Sequence, residues 1–285
     1  MKPRALIIHA TGTNRDHDVA RALELAGASP EIVHINALRD GAASLLDFQI
    51  MTLPGGFSYG DDLGAGKLWA VALRARLGED LEQFISQGRP VIGICNGFQA
   101  LVKSGLLPAI GTRRMKSASS SMQSNSASWG KVPPPQAGVG GHASTSVNSA
   151  QQATLTRNES GRFECRWVEL APGGTNIWTD GLEENIYCPV AHGEGRFIAP
   201  ADTLAEIEQQ GLVALRYVGS GYPANPNGSV NGIAGISNPA GNVLGLMPHP
   251  ENHIVPEQHP RRHRGPQSGL GLKLFENGVG RAAHT

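Results

Sequence analysis

Apolar and polar positions alternate along the chain in a way that predicts strands and helices in turn. ALIIH at 5–9 is a short β-run, and HDVARALELAG at 17–27 puts Val19, Leu23 and Ala26 at helical spacing before a terminating Gly27. EIVHI at 31–35 and FQIMTL at 48–53 repeat the strand signal, and residues 67–87 read as a helix that closes at Gly88. VIGIC at 91–95 is a further strand that runs directly into the helical NGFQALVKSG. Such alternation predicts an α/β fold, an open and mostly parallel or mixed sheet flanked by helices.

The pattern dissolves between 112 and 153, where Ser, Gly, Pro, Ala and Gln replace large apolar residues. That composition buries too little apolar surface to offset its ordering entropy, so a flexible or surface-laid insertion is expected, with Trp129 as its one docking anchor. Order returns in a strand-rich second half. RFECRWVEL at 162–170 alternates like a half-buried strand, and IYCPVAHGEGRF at 186–197 and LVALRYV at 212–218 follow. GIAGISNPAGNVLGLMPHP at 232–250 reads as two short strands joined by an Asn-Pro-Ala-Gly turn, and LKLFENGV near the end as a helix.

Composition narrows the function classes. With 285 residues, 40% hydrophobic and 17% charged, the chain suffices for one large domain spanning 1–285. Lys plus Arg and Asp plus Glu number 24 each, so no charge excess favours nucleic acid or an acidic membrane, and RRHR at 261–264 reads as a solvated patch. The opening residues lack the pattern of a signal peptide, and no window approaches a membrane span, so a cytoplasmic chain is expected. Cys95, Cys165 and Cys188 are an odd number without CxxC pairing, which argues against a disulfide framework and a zinc ribbon. No metal site is expected.

The chemistry concentrates in three segments. GICNG at 93–97 has the Gly-x-Cys-x-Gly form of a nucleophile held between strand and helix, where small neighbours permit the tight turn. The N-terminus of the following helix favours a thiolate there. HPE at 249–251 supplies a base: in an extended segment residues two apart point the same way, so Glu251 can orient His249 for Cys95. PGGFSYGDD at 54–62 is a glycine-rich loop after a strand, and an N–H from Gly55 or Gly56 could pair with that of Asn96 as an oxyanion hole. A phosphate loop is the competing reading, but GAGKLW at 64–69 lacks the GxxxxGK[ST] spacing, so no ATP site is expected in this chain.

PGGFSYGDDLGAGK, GICNGFQ, RNESGRFECRWVEL, AHGEGRF, YPANPNGSVNGIAGISNPAGNVLGLMPHPE and GLGLKLFENGV, in this order, resemble the class I glutamine amidotransferases, and specifically the glutaminase subunit of phosphoribosylformylglycinamidine synthase. The resemblance covers most of the chain outside 112–153 and implies a flavodoxin-like sheet. It implies that Cys95 attacks glutamine to give a thioester and ammonia, that His249 and Glu251 complete a triad, and that Gln99, one helical turn beyond Cys95, contacts the glutamine. It implies further a large synthetase partner that carries ATP and magnesium and amidates formylglycinamide ribonucleotide in purine biosynthesis, in some cases with a small bridging subunit. His192 and Glu194 match the family stretch AHGEGRF without a role that the sequence assigns. Two departures stand out: the 112–153 segment in place of a short connection, and Asn252 where an Arg often follows the Glu.

Two rival readings stay open. One is another triad-type amidotransferase or a Cys hydrolase on the same scaffold, since fold alone does not fix chemistry. The other is an assembly subunit whose triad is idle.

Overall fold

The computed structural model describes residues 1–111, 151–264 and 268–284. They fold as β1 (Arg4–His9), α1 (Asp16–Leu25), β2 (Ser29–His34), α2 (Ile35–Arg39), β3 (Ile50–Leu53), α3 (Lys67–Ser86), β4 (Val91–Ile94), α4 (Asn96–Lys103), β5 (Thr154–Thr156), β6 (Glu164–Pro172), β7 (Ile186–His192), β8 (Arg196–Ile198), α5 (Ala201–Gln209), β9 (Val213–Tyr217), β10 (Ile233–Ser237), β11 (Val243–Leu246) and α6 (Leu272–Ala282). Among the described residues one sheet of nine strands runs β2-β1-β3-β4-β11-β10-β9-β6-β7, and β5 and β8 form a separate antiparallel pair.

The sheet has two characters. From β2 to β11 neighbouring strands are parallel. IMTL, VIGI and VLGL in β3, β4 and β11 are buried at every position, as parallel strands covered on both faces must be. The helices that cover them pack in two groups, α1 with α6 and α3 with α4 and α2. From β11 onward all pairings are antiparallel, and β7 alternates buried and half-buried residues along its length. The mixed sheet and the strand-rich second half are as the sequence predicts, and the Asn-Pro-Ala-Gly turn does join β10 and β11.

Two irregularities bend the antiparallel half. The pairing of β10 with β9 shifts register on both sides of Gly235, and a bulge of this kind curves a strand and increases its twist. β6 then touches β9 only through Leu170–Pro172, whereas it pairs with β7 from Glu164 to Leu170. The β6–β7 ribbon is thus free to leave the sheet plane.

Some expectations need correction. EIVHI does not stay extended to Ile35: the His34 side chain accepts a hydrogen bond from the Asn36 N–H (3.1 Å) and caps α2, which begins at Ile35. α5 gave no readable stripe because Ile207 alone is buried in it. Most of the expected insertion at 112–153, with Trp129, lies outside the described residues. Of its end, Gln152 is described, and its side chain bonds both the N–H and the carbonyl of Ile110.

Candidate active site

Parallel pairing sets Ile94 of β4 beside Leu246 of β11, so the segments leaving both strands emerge together at one end of the sheet. Cys95 follows the first and His249 the second. The Cys95 N–H still donates to the Leu246 carbonyl at 2.8 Å, then the chain turns sharply, with Cys95 at φ 51° and ψ −104°. A non-glycine residue held this way is strained, the usual state of a nucleophile between strand and helix. Its small neighbours are required: a Cβ on Gly97 would lie 1.9 Å from the Leu53 carbonyl oxygen, and one on Gly93 would lie 2.5 Å from Leu101.

His249 is buried and is fixed from two sides. Its N–H donates to the Pro189 carbonyl of β7 at 2.8 Å, and its Nδ1–H donates to Glu251 Oε1 at 2.7 Å. Glu251 is fully buried. The segment is not extended as the sequence suggested: Pro250–Asn252 form a single 3-10 turn. The turn folds Glu251 back onto His249, so the predicted contact arises from a different backbone. Burial opposes a charge on the ring, but the facing charges of Glu251 and Cys95 outweigh it and raise His249 to about 10. Nε2 of His249, buried and without a hydrogen-bond partner, is left for the thiol.

The glycine loop closes on the same place. A Cβ on Gly55 would lie 2.8 Å from His249 Cε1 and 3.5 Å from Cys95 Cβ, so only glycine permits this approach. Gly56 pairs with Thr13 in an isolated antiparallel bridge, with Arg15 N–H on the Gly55 carbonyl and Phe57 N–H on that of Gly12. The turn at 12–15 therefore supports the loop, a role that its polar sequence did not disclose. Asn96 and Gln99, at the start of α4, are both buried. The Asn96 amide accepts from the Ser58 N–H (3.1 Å) and donates to Gln99 Oε1 (3.0 Å), and Gln99 Nε2 donates to the Glu194 carbonyl (2.6 Å). All seven predicted site residues thus lie in one neighbourhood.

The residues without an assigned role turn out to be part of it. Cys95 Sγ lies 3.8 Å from the Ala191 carbonyl, at the end of β7. His192 is next, buried, with Nε2 at 3.2 Å from Asn227 Nδ2. The Asn227 amide is oriented by its Oδ1, which accepts from the Ser229 N–H, and its nitrogen also donates to the Gly195 carbonyl. His192 Nε2 is therefore an acceptor, the proton sits on Nδ1, and that atom has no partner. Burial, and then the charge of His249, push His192 down to about 3. Cys188, two turns of the pleat earlier, has its thiol pushed up by burial and by Glu251. Cys165 is exposed. Among the described residues no group of three or more His, Cys, Asp or Glu could hold a metal ion, and no helix is long and apolar enough to cross a membrane.

The chain is similar to known proteins along most of its length. The chain matches the CobB/CobQ-like glutamine amidotransferase domain over residues 2–129 and 138–280. It is 47% identical to a phosphoribosylformylglycinamidine synthase subunit PurQ from Treponema denticola, over 98% of each chain. It is 40% identical to the protein of the same name from Dehalococcoides mccartyi, over 98% of this chain and 97% of that one. Among solved structures it resembles a chain in PurLQS from Thermotoga maritima, with 31% identity, a TM-score of 0.67 and 99% of both chains covered. The chain belongs to the glutamine amidotransferases, in the branch formed by the glutamine amidotransferase subunits of phosphoribosylformylglycinamidine synthase.

Proposed function

We propose that Cys95, His249 and Glu251 hydrolyse glutamine and that the ammonia passes to a separate synthetase subunit. The observation that carries this reading is the buried 2.7 Å contact between His249 and Glu251 beside a strained Cys95. A raised His249 favours the imidazolium partner of a Cys95 thiolate. The thiolate attacks the side-chain amide carbon, and the N–H of Asn96 and one from the Gly55–Gly56 loop receive the oxyanion. Asn96 opens α4, so its N–H has no intrahelical acceptor to compete. His249 then protonates the departing amine, and ammonia leaves with a thioester behind it. In the second half His249 takes a proton from water, the water attacks the thioester, glutamate departs and Cys95 returns. Glu251 keeps Nδ1 protonated and the ring oriented throughout. Gln99 stands at the glutamine pocket with its amide already braced on Glu194 and Asn96.

The rest of the reaction belongs to the partner. We assign ATP, magnesium and the formylglycinamide ribonucleotide to a large synthetase subunit, with a small bridging subunit where the assembly has one, and place the reaction in the cytoplasm. The similarity to a chain of PurLQS supports a multi-subunit enzyme. This chain uses no cofactor of its own in the scheme.

The test is glutamate release by the chain assembled with its synthetase and supplied with ribonucleotide and ATP. Cys95→Ala is expected to abolish glutamine-dependent product while ammonia-dependent product continues. Loss of both activities in a complex that still assembles would overturn the division of labour. Undiminished glutamate release would remove Cys95 from the mechanism.

A further inference from the structure

The loop between the glycine pair and α3 adopts a backbone that needs explanation. Tyr59, Gly60 and Asp61 take φ values of 58°, 68° and 53°, a left-handed path that Tyr and Asp follow only where surrounding contacts impose it. The contact that imposes it runs to the nucleophile's neighbour. Asp61 Oδ1 accepts from the Asn96 side-chain amide at 3.0 Å and from the Gly66 N–H at 3.2 Å. The other end of that Asn96 amide takes the Ser58 N–H. The two ends of the 58–66 loop are therefore linked through two side chains in series, Ser58 to Asn96 and Asn96 through Asp61 to Gly66.

A second carboxylate anchors the loop from the opposite wall. Glu194 Oε2 accepts from the Ala65 N–H at 3.2 Å, while its own backbone carbonyl holds Gln99. Lys103 donates to the Ala65 carbonyl. Asn96, Gln99, Glu194, Ala65, Gly66 and Asp61 thus close a ring of hydrogen bonds behind the elbow. Asn96 carries one proposed oxyanion donor on its backbone, and the loop tied to its side chain begins at the other, Gly55–Gly56.

We infer that Asp61 is a positioning residue of the glutaminase reaction: by holding the Asn96 amide it fixes the spacing of the two backbone donors that receive the oxyanion. The inference rests on the proposed function. Asp61 touches neither glutamine nor Cys95 and acts through Asn96. Its requirement is an acceptor oxygen at this point, not a charge, because both of its partners are neutral N–H donors. Glu194 gives the same ring its second fixed point.

The experiment uses the assembled enzyme. Asp61→Gly removes the carboxylate and leaves a residue at ease in the left-handed region, and Asp61→Asn keeps Oδ1. Misplacing one donor is expected to lower kcat for glutamate release by about 10- to 100-fold in Asp61→Gly, below the roughly 10²–10³ seen when a donor is removed outright, with KM within about threefold. Asp61→Asn is expected to stay within about fivefold of the parent. Alkylation of Cys95 by iodoacetamide, a displacement at carbon without an oxyanion, is expected to proceed at the parent rate in both. Three results would each overturn the inference: a kcat in Asp61→Gly within threefold of the parent, alkylation that falls in step with kcat, or Asp61→Asn as impaired as Asp61→Gly. Absence of Cys95-dependent glutamate release from the parent would instead refute the proposed function, before any variant is compared.

Discussion

Glu251→Gln tests the electrostatic core of the site with little change of shape. The substitution keeps an oxygen for His249 Nδ1–H and removes the charge. Against the ordinary 6.5, a value of about 10 for His249 corresponds to ~5 kcal/mol in favour of the imidazolium at ~1.36 kcal/mol per pKa unit. Burial acts the other way, and of the two facing charges Glu251 is the stronger; exchanging its buried charged hydrogen bond for a neutral one is expected to cost about 2–3 kcal/mol. A raised pKa means that the imidazolium persists below about 10 and is lost as pH rises through it. Without the carboxylate the alkaline limb of kcat/KM should therefore move down by about two pH units. The plateau should fall roughly 30- to 100-fold, since the same ~2–3 kcal/mol is lost from the ion pair. The assay is the pH dependence of glutamate release in the assembled enzyme. A Glu251→Gln enzyme with kcat/KM within threefold of the parent and an unmoved alkaline limb would refute both the magnitude and the role.

Gly97→Ala would place a Cβ 1.9 Å from the Leu53 carbonyl oxygen. Because that neighbour is strand backbone, β3 and α4 must part, at an expected cost of about 1–3 kcal/mol; an unchanged urea midpoint would contradict the packing argument. His192, buried and held at about 3, resists protonation that the unfolded chain accepts near 6.5. Its contribution to stability is present above pH 6.5 and is lost as pH falls toward 3, ~2 kcal/mol of it by pH 5. His192→Gln should shrink the difference in unfolding free energy between pH 7 and pH 5 by about that amount, and a difference of undiminished size would show that other groups govern the acid limb.

The parallel half was legible because its signals are local. Fully apolar runs such as VIGI, and Gly-x-Cys-x-Gly at the junction with α4, define strand, elbow and helix within the thirteen residues from Val91 to Lys103, and the three residues of the proposed triad follow from them and from HPE. What the sequence concealed depends on pairs far apart. Asp61 meets Asn96, and Glu194 meets Ala65, across 35 and 129 positions; PGGFSYGDD and AHGEGRF mark both carboxylates, but neither segment tells what its carboxylate meets. The HPE contact was right for a backbone reason that was wrong: three residues cannot tell an extended segment from a 3-10 turn when both bring positions 249 and 251 together. α5 and α2 were missed because one has a single buried residue and the other only five residues in all.

The least legible part was the contribution of β7. In the order of strands it stands four places beyond β11, at the far edge of the sheet. A flat sheet with strands ~4.8 Å apart would hold it about 19 Å from the strand that delivers His249. Yet its Pro189 carbonyl accepts the His249 N–H at 2.8 Å, and its Ala191 carbonyl lies 3.8 Å from Cys95 Sγ. The sheet must therefore curl through the Gly235 register shift and the short β6–β9 pairing until its antiparallel edge returns over the carboxyl ends of β4 and β11. A Cβ on Gly235 would lie 2.8 Å from the Gly245 carbonyl oxygen, which ties this bend to a residue without a side chain. The parallel strands β4 and β11 lead to Cys95 and His249, the proposed nucleophile and base. The curled antiparallel half supplies the opposing wall, in the turn that carries His192 and Glu194, and so encloses a site that the parallel strands alone would leave open on that side.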